Sequence, residues 1–154
     1  MSSLRGQANH KLYLARLLLA AWRRDLGAED IPASVLAQAF GPAVRGHLLD
    51  AYGWFLLDLQ KPAQLPDTPP HSVTALAPVA PGKAIPAEIS EFARLEQEGW
   101  LSELLREPGT AQPRRSTASL AAPSTNLLDP ETLLAQAQLL EDAFGRMGDF
   151  LDEC

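Results

Sequence analysis

The stretch "NHKLYLARLLLAAWRR" (residues 9–24) decides how this chain folds. It is basic, apolar and close to the start of the sequence, and taken alone it suits either a targeting segment or a buried helix. Its periodicity separates the two. Leu4, Ala8, Leu12, Ala15, Leu19, Trp22 and Leu26 recur three and four residues apart, which aligns them on one helix face. Leu14, Leu18 and Ala21 widen that face, so the spacing predicts a well-buried first helix over residues 7–26, stopped by Gly27. Lys11, Arg16, Arg23 and Arg24 are left for its rim. A secretory signal fits poorly, because Arg16 interrupts the apolar run and no small-x-small cleavage site follows. The longest apolar run, residues 17–22, is far short of the roughly 20 residues that span a bilayer.

Three more helical patterns follow, and no strand pattern is convincing. A short apolar segment, residues 33–40, is entered through Pro32 and broken at Gly41-Pro42. Pro42 suits the first turn of a second helix, which Pro62 ends. Its inward face carries Val44, Leu48, Ala51, Phe55 and Leu59. A third helix is expected over residues 87–106, bent at Gly99 where the apolar spacing jumps from Leu95 to Trp100. The fourth is capped by Asp129, with Pro130 and Glu131 in its first turn. Leu133, Ala137, Leu140, Phe144, Met147 and Leu151 then alternate four and three apart, a seam for bundle packing or for a dimer.

Residues 61–86 hold seven of the chain's 13 prolines. So many missing donors rule out helix and disfavour sheet, so this stretch reads as an extended proline-rich linker between helices two and three. It is long enough to drape over the helices through Val73, Leu76 and Val79. Residues 107–128 read as a second loose connection, and Arg114-Arg115-Ser116-Thr117 within it is a kinase-like match of a kind that chance supplies often. The sum is an all-α fold, a four-helix and mostly antiparallel bundle, with residues 1–154 forming one domain.

The net charge of -6 argues against an extended nucleic-acid surface, which needs a basic stripe for phosphates. The charge is also divided: residues 1–26 carry +4 and residues 129–154 carry -6. Two helices of opposite sign lying side by side explain this most simply, and two ends serving different partners is the sharper reading. The lone cysteine, Cys154, can form no internal disulfide, which fits a reducing compartment and a cytoplasmic location.

Little chemistry is spelled out. A carboxylate-bridged metal bundle needs Glu-x-x-His pairs, and none occurs; His10, His47 and His71 lie on different segments, so no metal or other cofactor is expected. His47, Asp50, Trp54 and Asp58 share one face of helix two. A His–Asp pair there could do acid–base work, against the plainer reading of a solvated face opposite the core. Arg5 and His10 match the Arg, four to six residues, His signature of HEPN ribonucleases. Ten arginines and three histidines supply such a spacing readily by chance, and the match begins ahead of the first helix where that class carries it on a later one. Phosphate loops, nucleophile elbows and His-Glu-x-x-His are absent.

Three blocks carry a family likeness: "NHKLYLARLLLAAW" (residues 9–22), "HLLDAYGWFL" (residues 47–56) and "FARLEQEGWLSELL" (residues 92–105). They resemble the helical blocks of an uncharacterised family of short bacterial proteins, a domain of unknown function, and the acidic terminal helix ending in "EC" is compatible. The resemblance supports the helical architecture and implies no reaction. Within its opening block, Asn9, Tyr13 and Arg16 are polar and helically spaced. They either tie helix one to a neighbour, for example Arg16 to an acid of helix four, or form a recognition patch.

These observations lead to a non-enzymatic cytoplasmic adaptor that binds an unknown protein partner or itself, with Asn9, Tyr13, Arg16, His47 and Asp50 as the candidate polar patch. The alternative is a ribonuclease-like or other helical-bundle enzyme using Arg5 with His10, or His47 with Asp50. A membrane-peripheral role through the basic first helix is the third reading.

Overall fold

The computed structural model describes residues 3–79, 81–106 and 128–152. Its helices are α1 (Leu4–Ala28), α2 (Ala33–Gln60), α3 (Ala87–Glu98), α4 (Trp100–Leu105) and α5 (Pro130–Asp152), with one turn of 3-10 helix at Val73–Ala75. Among the described residues there is no strand, and no helix is long and apolar enough to cross a membrane. The 107–127 connection, the kinase-like match, the Leu151 side chain and Cys154 lie outside what is described.

α1 starts earlier than its pattern suggests, so Arg5 joins His10 on the helix rather than preceding it. Ser3 caps it, its hydroxyl accepting from the Gly6 N–H at 2.9 Å. Gly27 does not stop it; the chain turns at Glu29, whose φ of 57° is left-handed. The middle of the predicted stripe is buried as read, with Ala8, Leu12, Ala15, Leu19 and Trp22 in the core, while Leu4 and Leu26 at its ends are partly exposed.

The expected break at Gly41-Pro42 is absent, and α2 runs unbroken through both residues. A proline inside a helix removes one N–H and normally clashes with the preceding residue's Cβ. Gly41 has no Cβ, which removes that clash. A Cβ there would also stand 3.0 Å from Leu128, so the glycine admits a neighbouring side chain. Burial on both sides of the proline, from Leu36 and Ala37 to Val44 and Leu48, offsets the lost hydrogen bond. Trp22 of α1 stacks on Phe40 just before it, with ring centroids 6.1 Å apart.

The third predicted helix is two. Gly99 is extended, at φ -109° and ψ -163°, and separates α3 from α4. Ser102 donates from its hydroxyl to the Gly99 carbonyl at 2.7 Å within the first turn of α4. The end of α4 is held by Arg45 of α2, which donates to the carbonyls of Leu104 and Leu105 at 3.0 Å each. α5 begins as predicted, with the Asp129 carboxylate accepting from the Glu131 N–H and the Thr132 hydroxyl.

Side-chain pairs give the helix directions. Arg5 meets Asp58 and Lys11 meets Asp50, so α1 and α2 are antiparallel. Arg16 meets Glu141 and Arg23 meets Glu131, so α1 and α5 are antiparallel as well. The divided charge of the sequence is thus spent on neighbouring helices. At the centre, Phe55 stacks on Phe144 at 4.2 Å and meets Phe92 edge-on at 6.1 Å, joining α2, α3 and α5. The α5 seam is consumed here: Leu133, Ala137, Leu140, Phe144 and Met147 are buried within the chain's own core, which leaves those residues nothing to offer a dimer.

Candidate functional site

The polar face of α2 is not the solvated back of the helix. His47, Asp50, Trp54 and Asp58 are each only partly exposed, and they are turned toward α1 and the proline-rich segment. Asp50 is the hub. One carboxylate oxygen lies 3.6 Å from Lys11 Nζ and the other 2.8 Å from His71 Nε2. One turn past Trp54, Asp58 pairs with Arg5 at 3.3 Å. Sequence reading set His71 aside as a linker residue, yet the fold returns it across 21 positions to Asp50.

The proline-rich segment reaches α2 because Gly53 admits it. The Pro70 carbonyl packs directly over that glycine. The Glu96 carboxylate of α3 then accepts from the Tyr52 hydroxyl at 2.5 Å, the Ser72 hydroxyl at 2.7 Å and the Val73 N–H at 2.8 Å. Val73 and Leu76 pack on the core as the sequence suggested. Burial and the Glu96 carboxylate together push the Tyr52 hydroxyl's pKa well above the usual tyrosine range. Neither Glu96 nor Tyr52 was singled out from sequence, since no local spacing marks a contact that joins two helices to the proline-rich segment.

Electrostatics favour the neutral form of His47 beside Asp50. Burial lowers its pKa first, Lys11 lowers it further, Asp50 raises it and His10 lowers it again. The three histidines therefore share one side of the molecule, which segment order had hidden. Even so, among the described residues no three His, Cys, Asp or Glu side chains converge as metal ligands. Arg5 and His10 are five residues apart on α1, about 140° around the helix, and Arg5 is directed to Asp58.

The remaining candidates divide. Arg16 is a tie between helices: it pairs with Glu141 and donates to Gln138 at 3.2 Å, both on α5. Asn9 and Tyr13 point outward. Tyr13 is 57% exposed and Leu17, one turn further on, is 50% exposed.

A family model described as a family of unknown function, DUF6586, matches residues 1–154, and the chain belongs to that family. No curated protein and no solved structure matches it. This agrees with the likeness to an uncharacterised family that the three helical blocks carry, and it brings no reaction.

Proposed function

We propose that this family member is a non-enzymatic cytoplasmic adaptor that binds another protein through the outward face of α1. The observation that carries the reading is the exposed pair Tyr13 and Leu17, stacked one turn apart opposite the buried stripe, with Asn9 a turn before them and Ala20 after. An exposed aromatic ring with an apolar neighbour and polar groups at its border suits a protein interface, whose core is enriched in aromatic residues and whose rim is polar. Two of the four groups a helical-bundle enzyme would use are paired within the fold, Arg5 with Asp58, and Asp50 with Lys11 and His71.

The test is crosslinking and pull-down with the wild-type chain and a Tyr13→Glu/Leu17→Glu variant as baits. The expected result is a specific partner, or a second copy of the chain, that the variant no longer holds. An identical bound set for both baits would remove this reading. Sedimentation velocity distinguishes a foreign partner from self-association.

A further inference from the structure

Between the first turns of α1 and the middle of α2 lies a pocket of about 410 Å³, lined by Gly6, Gln7, His10, Lys11 and Trp54. That volume falls within the range of small-molecule sites, roughly 300–1,000 Å³. Its walls are of two kinds. Trp54 packs partly against the core and turns the rest of its ring system to the pocket. Gln7, His10 and Lys11 bring hydrogen-bond donors and positive charge, and no acidic side chain lines the space. The carboxylates of this side are already matched, Asp58 with Arg5 and Asp50 with Lys11 and His71. The Lys11 ammonium has three donors, and its 3.6 Å approach to Asp50 leaves others for a ligand.

We propose that this pocket binds a small planar aromatic molecule carrying a negative charge, its ring against Trp54 and its anionic group on Lys11 and His10. Each simpler ligand fits worse. A cation meets Lys11 head on. A neutral apolar molecule strips water from the Lys11 ammonium and the Gln7 amide without replacing it. A bare anion leaves the indole surface uncovered. The proposal does not depend on the partner reading, because neither Tyr13 nor Leu17 lines the pocket.

The experiment is a titration of the full chain followed by NMR, with 2-naphthyl phosphate as the probe. Inorganic phosphate and naphthalene-2-methanol serve as its anion-only and ring-only counterparts. The expected result is saturable shifts of the Trp54 indole N–H and the Gln7 side-chain amide with naphthyl phosphate alone. Lys11→Gln should weaken binding on the order of tenfold, since it replaces a charged donor by a neutral one, and His10→Ala should weaken it less. Trp54→Leu should abolish binding; if circular dichroism shows that this variant has lost helix, Lys11→Gln alone decides. The proposal is overturned if naphthyl phosphate does not saturate these signals or Lys11→Gln binds it unchanged. Equal binding of naphthalene-2-methanol, which would mark a greasy patch, or of inorganic phosphate, which would mark a plain anion site, overturns it too.

Discussion

The carbonyl oxygen of Pro70 lies so close over Gly53 that a Cβ on residue 53 would stand 1.8 Å from it. That contact seats the proline-rich segment on α2 and brings His71 to Asp50. In an open helix, Gly→Ala gains about 1 kcal/mol. Here the intruding atom is backbone, which cannot rotate away, so Gly53→Ala should instead lose about 1–3 kcal/mol. Urea unfolding measures the loss, and limited proteolysis should cut within residues 61–86 faster. A variant more stable than wild type, with unchanged cleavage, would contradict the packing.

Pro42 is exposed inside a continuous helix, so replacing it should help. Pro42→Ala restores a helical N–H and relieves an interior proline, worth about 3 kcal/mol at most. It also gives the unfolded chain more freedom, worth about 0.4–1 kcal/mol. A net gain of roughly 1–2 kcal/mol should raise the urea midpoint. A lower midpoint would mean that α2 is really two helices meeting at residue 42.

The Glu96 clamp predicts a response to alkali. The folded-state pKa of Tyr52 is raised above its unfolded value. Its contribution is therefore complete below about pH 10 and is lost as pH climbs from there toward the folded value. Wild-type stability should fall more steeply above pH 10 than that of Tyr52→Phe. At neutral pH the variant should be less stable by about 1.5–3 kcal/mol, for one hydrogen bond to a charged acceptor. Parallel pH profiles for the two proteins would refute this.

His47 gives the acid counterpart. Its pKa is lowered below 6.5 by burial and by Lys11. The stability tied to its neutral form is thus present above pH 6.5 and is lost as pH falls through the lowered folded value. The His47 ring protons should titrate with a midpoint under 6.5 in NMR, and Lys11→Gln should move that midpoint upward. A midpoint at or above 6.5 in the wild type would show that Asp50 dominates instead.

Two leucines two residues apart on α1 should differ sharply. Leu19 is 1% exposed and Leu17 is 50% exposed. Leu19→Ala should cost about 2–5 kcal/mol, by lost burial and a cavity. Leu17→Ala should stay within about 0.5 kcal/mol in stability while weakening partner capture. Thermal melts and the pull-down read the two quantities separately.

Much of the helical skeleton was legible because amphipathic periodicity is a local property. The stripes of α1 and α5, the Asp129 cap and the proximity of basic and acidic helices all follow from spacing and charge along the chain. "NHKLYLARLLLAAWRR" announces a buried helix through its spacing, and Trp22 ends up on the inner face as that spacing requires. The candidate patch was legible only as residues that share helix faces. Spacing offered a tie from Arg16 to an acid of helix four and a recognition patch as alternatives, and could not say that Arg16 takes the tie to Glu141 while Tyr13 is left to solvent.

What the tertiary structure alone decided lies where distant segments compensate for a local defect or share one group. Gly41-Pro42 reads as a break because the local terms oppose a helix, and packing against α1 and Leu128 overrides them. Residues 61–86 read as a linker because prolines cannot complete a ladder, yet one carboxylate, Glu96, and one missing Cβ, at Gly53, seat residues 70–73 on the helices. The grouping of His10, His47 and His71 around Lys11 and Asp50 has the same origin. Periodicity within a segment carries no information about which side chain a returning loop will meet, since that depends on the shapes of surfaces formed only after the helices pack.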